Sequence, residues 1–569
     1  MKGIGASPGI AIGKALVLER QEVRPTGIVL ADAAEIEHEI ERFTQAVATA
    51  VAEVEVLKET LADDETARDV LEIQVELLQD EQIRTDVVDK ITAERKSAVD
   101  AVLEVIAAAA DIFRNMEDEY FSARAADVQD AGNRIARHLT TGAVATLVLP
   151  ENTIIVAEDI APSDMLSLDL TRVGGFATRV GGKTSHAAIV AKVKGIPAAV
   201  GCGTTLATIQ TGDVVIIDGT AGEVIANPTD TELKDYTIRQ TAFRQQATLL
   251  AALKDTEATT TDGVTVKLMA NIANAADMDE ALAFGAEGSG LLRTELLFMG
   301  RTSLPSENEQ FEFYKNVALK ARGRSVVVRT LDIGGDKHLP YFNLPPEQNP
   351  FLGYRAIRIC LDRPDLFFTQ LRAILRASVF GDLKIMFPMI SNVQEIEQAK
   401  AFLEEAKTQL AAKGVAFNRD IETGIMIEIP SAAVMADILA KRVSFFSIGT
   451  NDLCQYTLAV DRMNEHVKHL YDPFNPGVLR LIRQVIEQGN KHHGHTAMCG
   501  ELAGDPTATL LLLGMGLREF SMSASSIPYV KNIIIQHSFE EARKICEDVM
   551  ALEYSKEIAA YLEKAGREA

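Results

Sequence analysis

His186 stands in the segment VGGFATRVGGKTSHAAIVAK, behind a Gly-Gly pair and a Thr-Ser pair and just ahead of an apolar helical stretch. Thr184 or Ser185 is placed to cap that helix, which would set the positive end of its dipole against the imidazole. A histidine kept neutral in this way has one ring nitrogen with a free lone pair to attack phosphorus, and the same helix end can stabilise the transferred phosphate. A lone histidine at a helix start is ordinarily a capping or packing residue. The combination of turn, cap and apolar helix sets His186 apart from the other nine of the ten histidines, and the HHGH run at 492–495 reads as a polar structural loop without metal partners.

Arginines recur where apolar runs end: Arg293 and Arg301 in RTELLFMGR, Arg329 with Lys337 in VVVRTLDIGGDK, Arg355 and Arg358 in NPFLGYRAIRI, and Arg462 in DLCQYTLAVDR. Set against a formal net charge of −24, with 81 acidic and 57 basic residues, they read as local forks for phosphate and carboxylate. A salt-bridged surface is the plainer role for any one of them, above all Arg301. Glu428 in IMIEIP and Asp452 in SIGTNDL close successive apolar runs and can converge on one Mg²⁺, which two carboxylates, substrate oxygens and water commonly hold. Ion pairing with neighbouring arginines explains such carboxylates equally well. Cys499, in TAMCGELAGDP, would sit at the mouth of an arginine-rich pocket; a thiol there is expected to have a lowered pKa and to exchange a proton with a carbon acid. Cys202, Cys360, Cys454 and Cys546 read as small buried residues.

The elements that must position these groups are legible in outline. From Thr26 to Leu149 there is no proline, and from Ala31 to Ala131 no glycine. Val47, Val51, Val54 and Leu57, then Leu71, Val75 and Leu78, recur at helical spacing, so three or four long helices are expected. The runs TIIVA, GDVVIID and GEVIA have the texture of a compact α/β unit, shared by the opening GIGASPGIAIGKALVL, so the helical block looks inserted into one α/β domain. After Thr261, eight apolar runs (VKLMA, GLL, VVV, IMF, IMI, FFSI, TAM and REFSM) alternate with helical stretches, which favours an eight-stranded parallel barrel with its chemistry at the strand ends. The expected division is an α/β domain at 1–25 and 141–228, a helical insert at 26–140, a linker helix at 229–258 and a (β/α)8 barrel at 259–569.

The 569 residues are 47% hydrophobic and 24% charged, ordinary values for a multidomain globular protein. The acidic balance disfavours nucleic acid and anionic membrane surfaces as partners. No apolar run approaches the roughly 20 residues needed to span a bilayer, and the opening has no basic stretch followed by an apolar one, so a cytoplasmic location is expected.

Taken together and in order, GIGASPGIAIGKA, GGKTSHAAIVAK, RTELLFM, RTLDIGGDK, NPFLGYRAIR, MIEIPSA, SIGTNDLCQYTLAVDR and AMCGE resemble the enzyme I family of the bacterial phosphoenolpyruvate-dependent sugar phosphotransferase system, over nearly the whole chain. The resemblance implies that His186 takes the phosphoryl group from phosphoenolpyruvate and hands it to a histidine of the phosphocarrier protein HPr, releasing pyruvate. It implies that Arg293, Arg329, Arg462, Asn451 and Asp452 bind phosphoenolpyruvate, that Glu428 and Asp452 hold Mg²⁺, and that Cys499 protonates the enolate. HPr docking on the helical insert, a homodimer through the barrel and a swivelling His186 domain are implied in the same way. Lys183 stands where the family often has arginine, keeping the charge but losing the planar fork. Two rival expectations remain. Pyruvate phosphate dikinase and phosphoenolpyruvate synthase share the histidine domain and barrel but add a large ATP-binding domain, whereas the roughly 120-residue segment ahead of the main α/β block is helical here, with no Gly-rich nucleotide loop. A non-catalytic phosphorylated regulator would have no need of Glu428, Asp452 and the arginines.

Overall fold

A long stretch of good helix formers, uninterrupted by glycine or proline, needs only one apolar stripe to become a packed bundle. In the computed structural model, which describes residues 1–18, 23–60, 72, 74–114, 119–140, 149–160, 168–182, 185–299, 301, 303–335, 337, 339, 341–342, 347–464 and 466–566, that stretch forms helices α1 (Ala33–Thr60), α2 (Glu81–Ala93), α3 (Ala98–Arg114) and α4 (Glu119–Thr140). Phe43, Val47, Ala50 and Val54 lie along one face of α1 and are buried, as are Val75 and Leu78. Leu71 lies outside the described residues. The chain divides into two units, Met1–Gln246 and Ala247–Ala569.

In the first unit, strands β1 (Ile4–Ser7) and β2 (Ile10–Leu18) precede the helical block, and β3 (Thr153–Ala157), β4 (Val173–Thr178), β5 (Ala198–Val200), β6 (Val214–Asp218) and β7 (Glu223–Ala226) follow it. All seven share one sheet in the order β1-β5-β4-β3-β2-β6-β7, so the helices are an insertion into a single α/β fold. The pairs β2–β3, β3–β4 and β4–β5 are parallel, and the edges are antiparallel. Every residue of β3 is buried because the sheet is covered on both faces. On one face Ile155 and Phe176 join the apolar core of the bundle together with Ala187, Val190 and Ala191 of helix α5 (His186–Lys194). On the other, Ile154, Val156, Ala177, Val215 and Ile217 form a second cluster. The helix that begins at His186 is thus held by its apolar residues. Helix α6 (Asp230–Ala252) crosses the division between the units.

The second unit is a closed barrel of eight parallel strands: β8 (Lys267–Ile272), β9 (Ser289–Leu292), β10 (Val326–Arg329), β11 (Leu383–Phe387), β12 (Thr423–Ile427), β13 (Phe445–Ile448), β14 (Ala497–Met498) and β15 (Glu519–Met522). Each coincides with one of the eight apolar runs of the sequence. Alternation along the strands sends Leu291, Val327, Met386, Met426 and Phe445 into the barrel, where they pack as an apolar plug with Cys499, while Val326 and Val328 pack outward beneath the helices.

Candidate active site

The barrel strands end together on one face, and the reactive residues follow from that alone: Arg293 comes directly after β9, Arg329 ends β10, Glu428 follows β12, and Cys499 follows β14. Asn451 and Asp452 lie in the first turn of the helix Thr450–Leu458 that follows β13. Arg329 is buried, its Nη1 3.0 Å from Asp332 Oδ2 and its Nη2 paired with Glu295. Lys337 Nζ bridges the same two acids, 2.8 Å from Glu295 Oε1 and 3.1 Å from Asp332 Oδ2. Arg355, also buried, donates from Nη2 to Asp332 Oδ1 at 3.0 Å and to Asp452 Oδ2 at 3.4 Å, and from Nη1 to the Tyr456 hydroxyl at 3.0 Å. Asp332 is therefore the hub that aims three cations at one place.

Burial alone would raise the pKa of Asp332, but Arg329, with Lys337 and Arg355, holds it well below the usual carboxylate range. Glu295 is held low by the same contest of burial against Arg329 and Lys337. Both acids stay ionised and keep the cations in place. Glu428 behaves oppositely: burial, reinforced by the negative Asp452 and Asp332, pushes it up to about 8, and its Oε1 accepts a hydrogen bond from Met389 N at 2.6 Å. Asp452 Oδ1 is buried and makes no hydrogen bond among the described residues, and Arg462 Nη2 lies 4.0 Å from it. Two carboxylates that crowd each other, one with an oxygen left over, form a donor set suited to a hard divalent cation. Among the described residues no group of three or more His, Cys, Asp and Glu is placed to hold a metal, so the remaining ligands would come from elsewhere.

The thiol of Cys499 differs from the sequence expectation. Burial pushes it up to about 11, outweighing the pull of Arg329 and Arg293, because the side chain sits within the apolar plug and not at a wet mouth. It is a protonated acid at neutral pH, held with its amide donating to Ile448 O at 3.0 Å. Asn451 and Glu501 hold each other through two 3.1 Å hydrogen bonds. Beside them a cavity of about 370 Å³ is lined by Asn271, Asp277, Arg293, Glu501, Asp505 and Ser523. Its size is that of a small-metabolite site.

Three non-glycine residues with left-handed backbone border this cluster: Ala356 (φ 52°) after Arg355, Met389 (φ 56°), whose amide serves Glu428, and Ala459 (φ 53°), which ends the Asp452 helix. Each such residue costs about 1–3 kcal/mol and persists where its surroundings overdetermine it. Arg301 pairs with Glu309, the surface role anticipated for it. Arg358 donates to the carbonyls of Leu352 and Gly353 and supports the loop before Arg355. Arg355 and Lys337, candidate forks by sequence but outside the expected substrate set, belong to this cluster, as do Asp332, Glu295 and Tyr456, which the sequence does not single out. The signal for the acids was their spacing of two and three residues after Arg293 and Arg329.

In the first unit His186 opens α5. Ser185 occupies the N-cap position (φ −67°, ψ 155°), yet its side chain makes no capping hydrogen bond, so the expected hydroxyl cap is not formed there. Lys183, Thr184 and the His186 side chain lie outside the described residues. The HHGH run is not a loop: His492 and His493 finish the helix Pro476–His493, Gly494 caps it in the left-handed region, and His493 contacts Ala440 O at 2.8 Å and stacks edge-on against Phe446.

Residues 247–539 match the family model of the PEP-binding domain of PEP-utilising enzymes, 149–222 match their mobile domain and 2–124 their N-terminal domain. Over 567 residues the chain is 47% identical to a phosphoenolpyruvate-protein phosphotransferase of Bacillus sp. (strain S), covering 99% of this chain and 97% of the relative. It is 46% identical to that of Bacillus subtilis (strain 168), covering 99% of each. A solution structure of Enzyme I (nEIt) aligns at 35% identity over 43% of this chain and 99% of that one, with a TM-score of 0.36.

Proposed function

Since the chain belongs to the PEP-utilising enzymes, and within them to the phosphoenolpyruvate-protein phosphotransferases, we propose that it transfers the phosphoryl group of phosphoenolpyruvate to its own His186 and from there to a histidine of HPr, releasing pyruvate. The observation that carries this reading is the Arg329–Lys337–Arg355 cluster hung on Asp332 beside Glu428, Asp452 and the Cys499 thiol.

In this reading Arg329, Arg355, Lys337, Arg293 and Arg462 take the phosphate and carboxylate oxygens of the substrate, with Asn451 positioning it. Asp332 already holds Arg329, Lys337 and Arg355 in place, so little reorganisation of these three accompanies the loss of the P–O bond. Glu428 and Asp452 would hold Mg²⁺, which supplies charge neutralisation at the phosphoryl oxygens when bound. His186 accepts the phosphoryl group on a ring nitrogen as the enolate leaves. Cys499 gives its proton to the methylene carbon of the enolate, completing pyruvate, and the thiolate is reprotonated from solvent. A thiol with pKa about 11 is a weak acid matched to a carbon base, and its burial keeps the proton for the substrate.

Because His186 belongs to the first unit and the arginine cluster to the second, the histidine domain must visit the barrel and then HPr. The helical insert is our candidate for the HPr surface and the barrel for a homodimer contact. The four-part division at 1–25 with 141–228, 26–140, 229–258 and 259–569 belongs to this proposal, as does a cytoplasmic location. No helix among the described residues is long and apolar enough to cross a membrane.

Incubation of the full chain with phosphoenolpyruvate labelled in its phosphoryl group, Mg²⁺ and HPr tests the scheme. Label should appear on His186, pass to HPr, and vanish in His186→Ala or with a chelator present. Label retained by His186→Ala at another residue would refute the assignment.

A further inference from the structure

The turn where the linker helix ends is gripped by the barrel in an unusual way. Lys531, in the helix Ile527–Gln536, is only 3% exposed, and its ammonium donates to Leu253 O at 3.2 Å and Lys254 O at 3.0 Å. It forms no ion pair with a carboxylate among the described residues, so its buried charge is answered by carbonyls at the negative end of the helix α6 dipole. From another side Gly285 (φ 84°) presses against the same turn: a Cβ there would lie 2.5 Å from Lys254 O and 3.1 Å from Lys254 Cα. A cavity of about 770 Å³ runs alongside Lys254, Asp255, Thr256 and Glu257. Leu250 is buried just before the turn, whereas Arg244, Gln245, Gln246, Thr248 and Leu249 are exposed. At its other end the helix is tied to the first unit, where Gln240 Nε2 donates to Ile10 O at 2.8 Å and the Tyr236 hydroxyl to Glu223 Oε2 at 3.2 Å.

We infer that Lys531 is a positioning residue for phosphoryl transfer: with Gly285 it clamps the turn at 253–254, and so fixes the direction in which the linker helix leaves the barrel. The inference rests on the transfer between His186 and the barrel set out above. Bending of the connection then falls between its two anchored ends, and the histidine domain searches a restricted arc. Without the clamp the turn can shift into the adjoining cavity, and the histidine spends less time in line with the substrate.

The test uses the full chain with Lys531→Met, Lys531→Arg and Gly285→Ala. Lys531→Met and Gly285→Ala should lower the rate of His186 labelling by phosphoenolpyruvate about three- to tenfold, as misplacement of a reacting group does, while phosphoenolpyruvate affinity stays within about twofold. Lys531→Arg, which can still donate to both carbonyls, should recover most of the rate. Amide exchange over 250–256 should accelerate about tenfold in Lys531→Met, reporting loss of a charge-assisted hydrogen bond. A labelling rate within twofold of the parent, or a rate loss matched by an equal loss of affinity, overturns the inference. If the parent chain takes no label, the proposed function is what fails, and unaltered exchange over 250–256 would then dispose of the clamp separately.

Discussion

Asp332→Asn removes the charge on which the barrel-mouth cations depend while keeping the side chain's shape. In the parent, Asp332 lies 3.0 Å from Arg329, 3.0 Å from Arg355 and 3.1 Å from Lys337, and it is 2% exposed. Deleting one member of a buried ion pair costs about 3–5 kcal/mol because the partner is left uncompensated in a poorly solvated place. Glu295 and Asp452 still face part of the cluster, so the lower half of that range is expected. A unit of roughly 320 residues unfolds with an entropy near 0.7 kcal/mol/K, which converts that lower half, about 3–4 kcal/mol, to a fall in Tm of about 4–6 °C. The assay is calorimetric unfolding of the full chain, following the transition that phosphoenolpyruvate shifts. The sign with pH is fixed as well. The folded-state pKa of Asp332 is depressed, so its contribution is complete above the unfolded value of about 3.9 and is lost as pH falls toward the lower folded value. From pH 5 downward the gap between parent and variant should shrink, most steeply below about 4. A change under 1 °C at pH 7, or a gap that widens in acid, would refute the view of Asp332 as the hub.

Cys499→Ala should leave phosphoenolpyruvate binding nearly intact and lower turnover to pyruvate about 10²-fold or more, the usual loss when a positioned acid is removed; unchanged pyruvate release, measured by a coupled assay, would count against the thiol. With a thiol pKa near 11, the parent's turnover should show no alkaline fall from this group below about pH 10. Gly500→Ala would place a Cβ 1.9 Å from Thr450 Oγ1 and 2.5 Å from Thr450 N, between the Cys499 and Asp452 segments. It should cut labelling of His186 by at least about tenfold while circular dichroism stays unchanged; full activity would mean that the two strand ends move independently.

Much of the architecture is open to reading because its signals are local. Eight apolar runs, each followed by a polar residue and a helical stretch, specify strand and helix by period and length, and a closed parallel barrel accommodates that alternation. The absence of glycine and proline from 31 to 131 likewise dictates helix. The same locality explains the failures. HHGH looked like a loop because Gly494 breaks the pattern, yet the αL cap it supplies closes a helix that includes His492 and His493. Ser185 has the right position and residue type for a cap, but whether its hydroxyl turns back to the helix depends on its surroundings.

The available chemistry is legible in the chain: a histidine ahead of an apolar helix, arginines and carboxylates at strand ends, and one cysteine among them. Residue type and strand-end position are written in the chain. How those groups behave follows from the folded surroundings, because a pKa and an ion pair depend on burial and on which side chains meet. Cys499 was expected to be acidic beside arginines, but the apolar plug from Leu291, Val327, Met386, Met426 and Phe445 keeps it a thiol near 11. Asp332 becomes a hub because Arg329 at the end of β10 and Lys337 and Arg355 in the connection that follows it all turn in on it. The turn at 253–254 is held by Lys531, 277 residues further along, a distance that no local pattern spans.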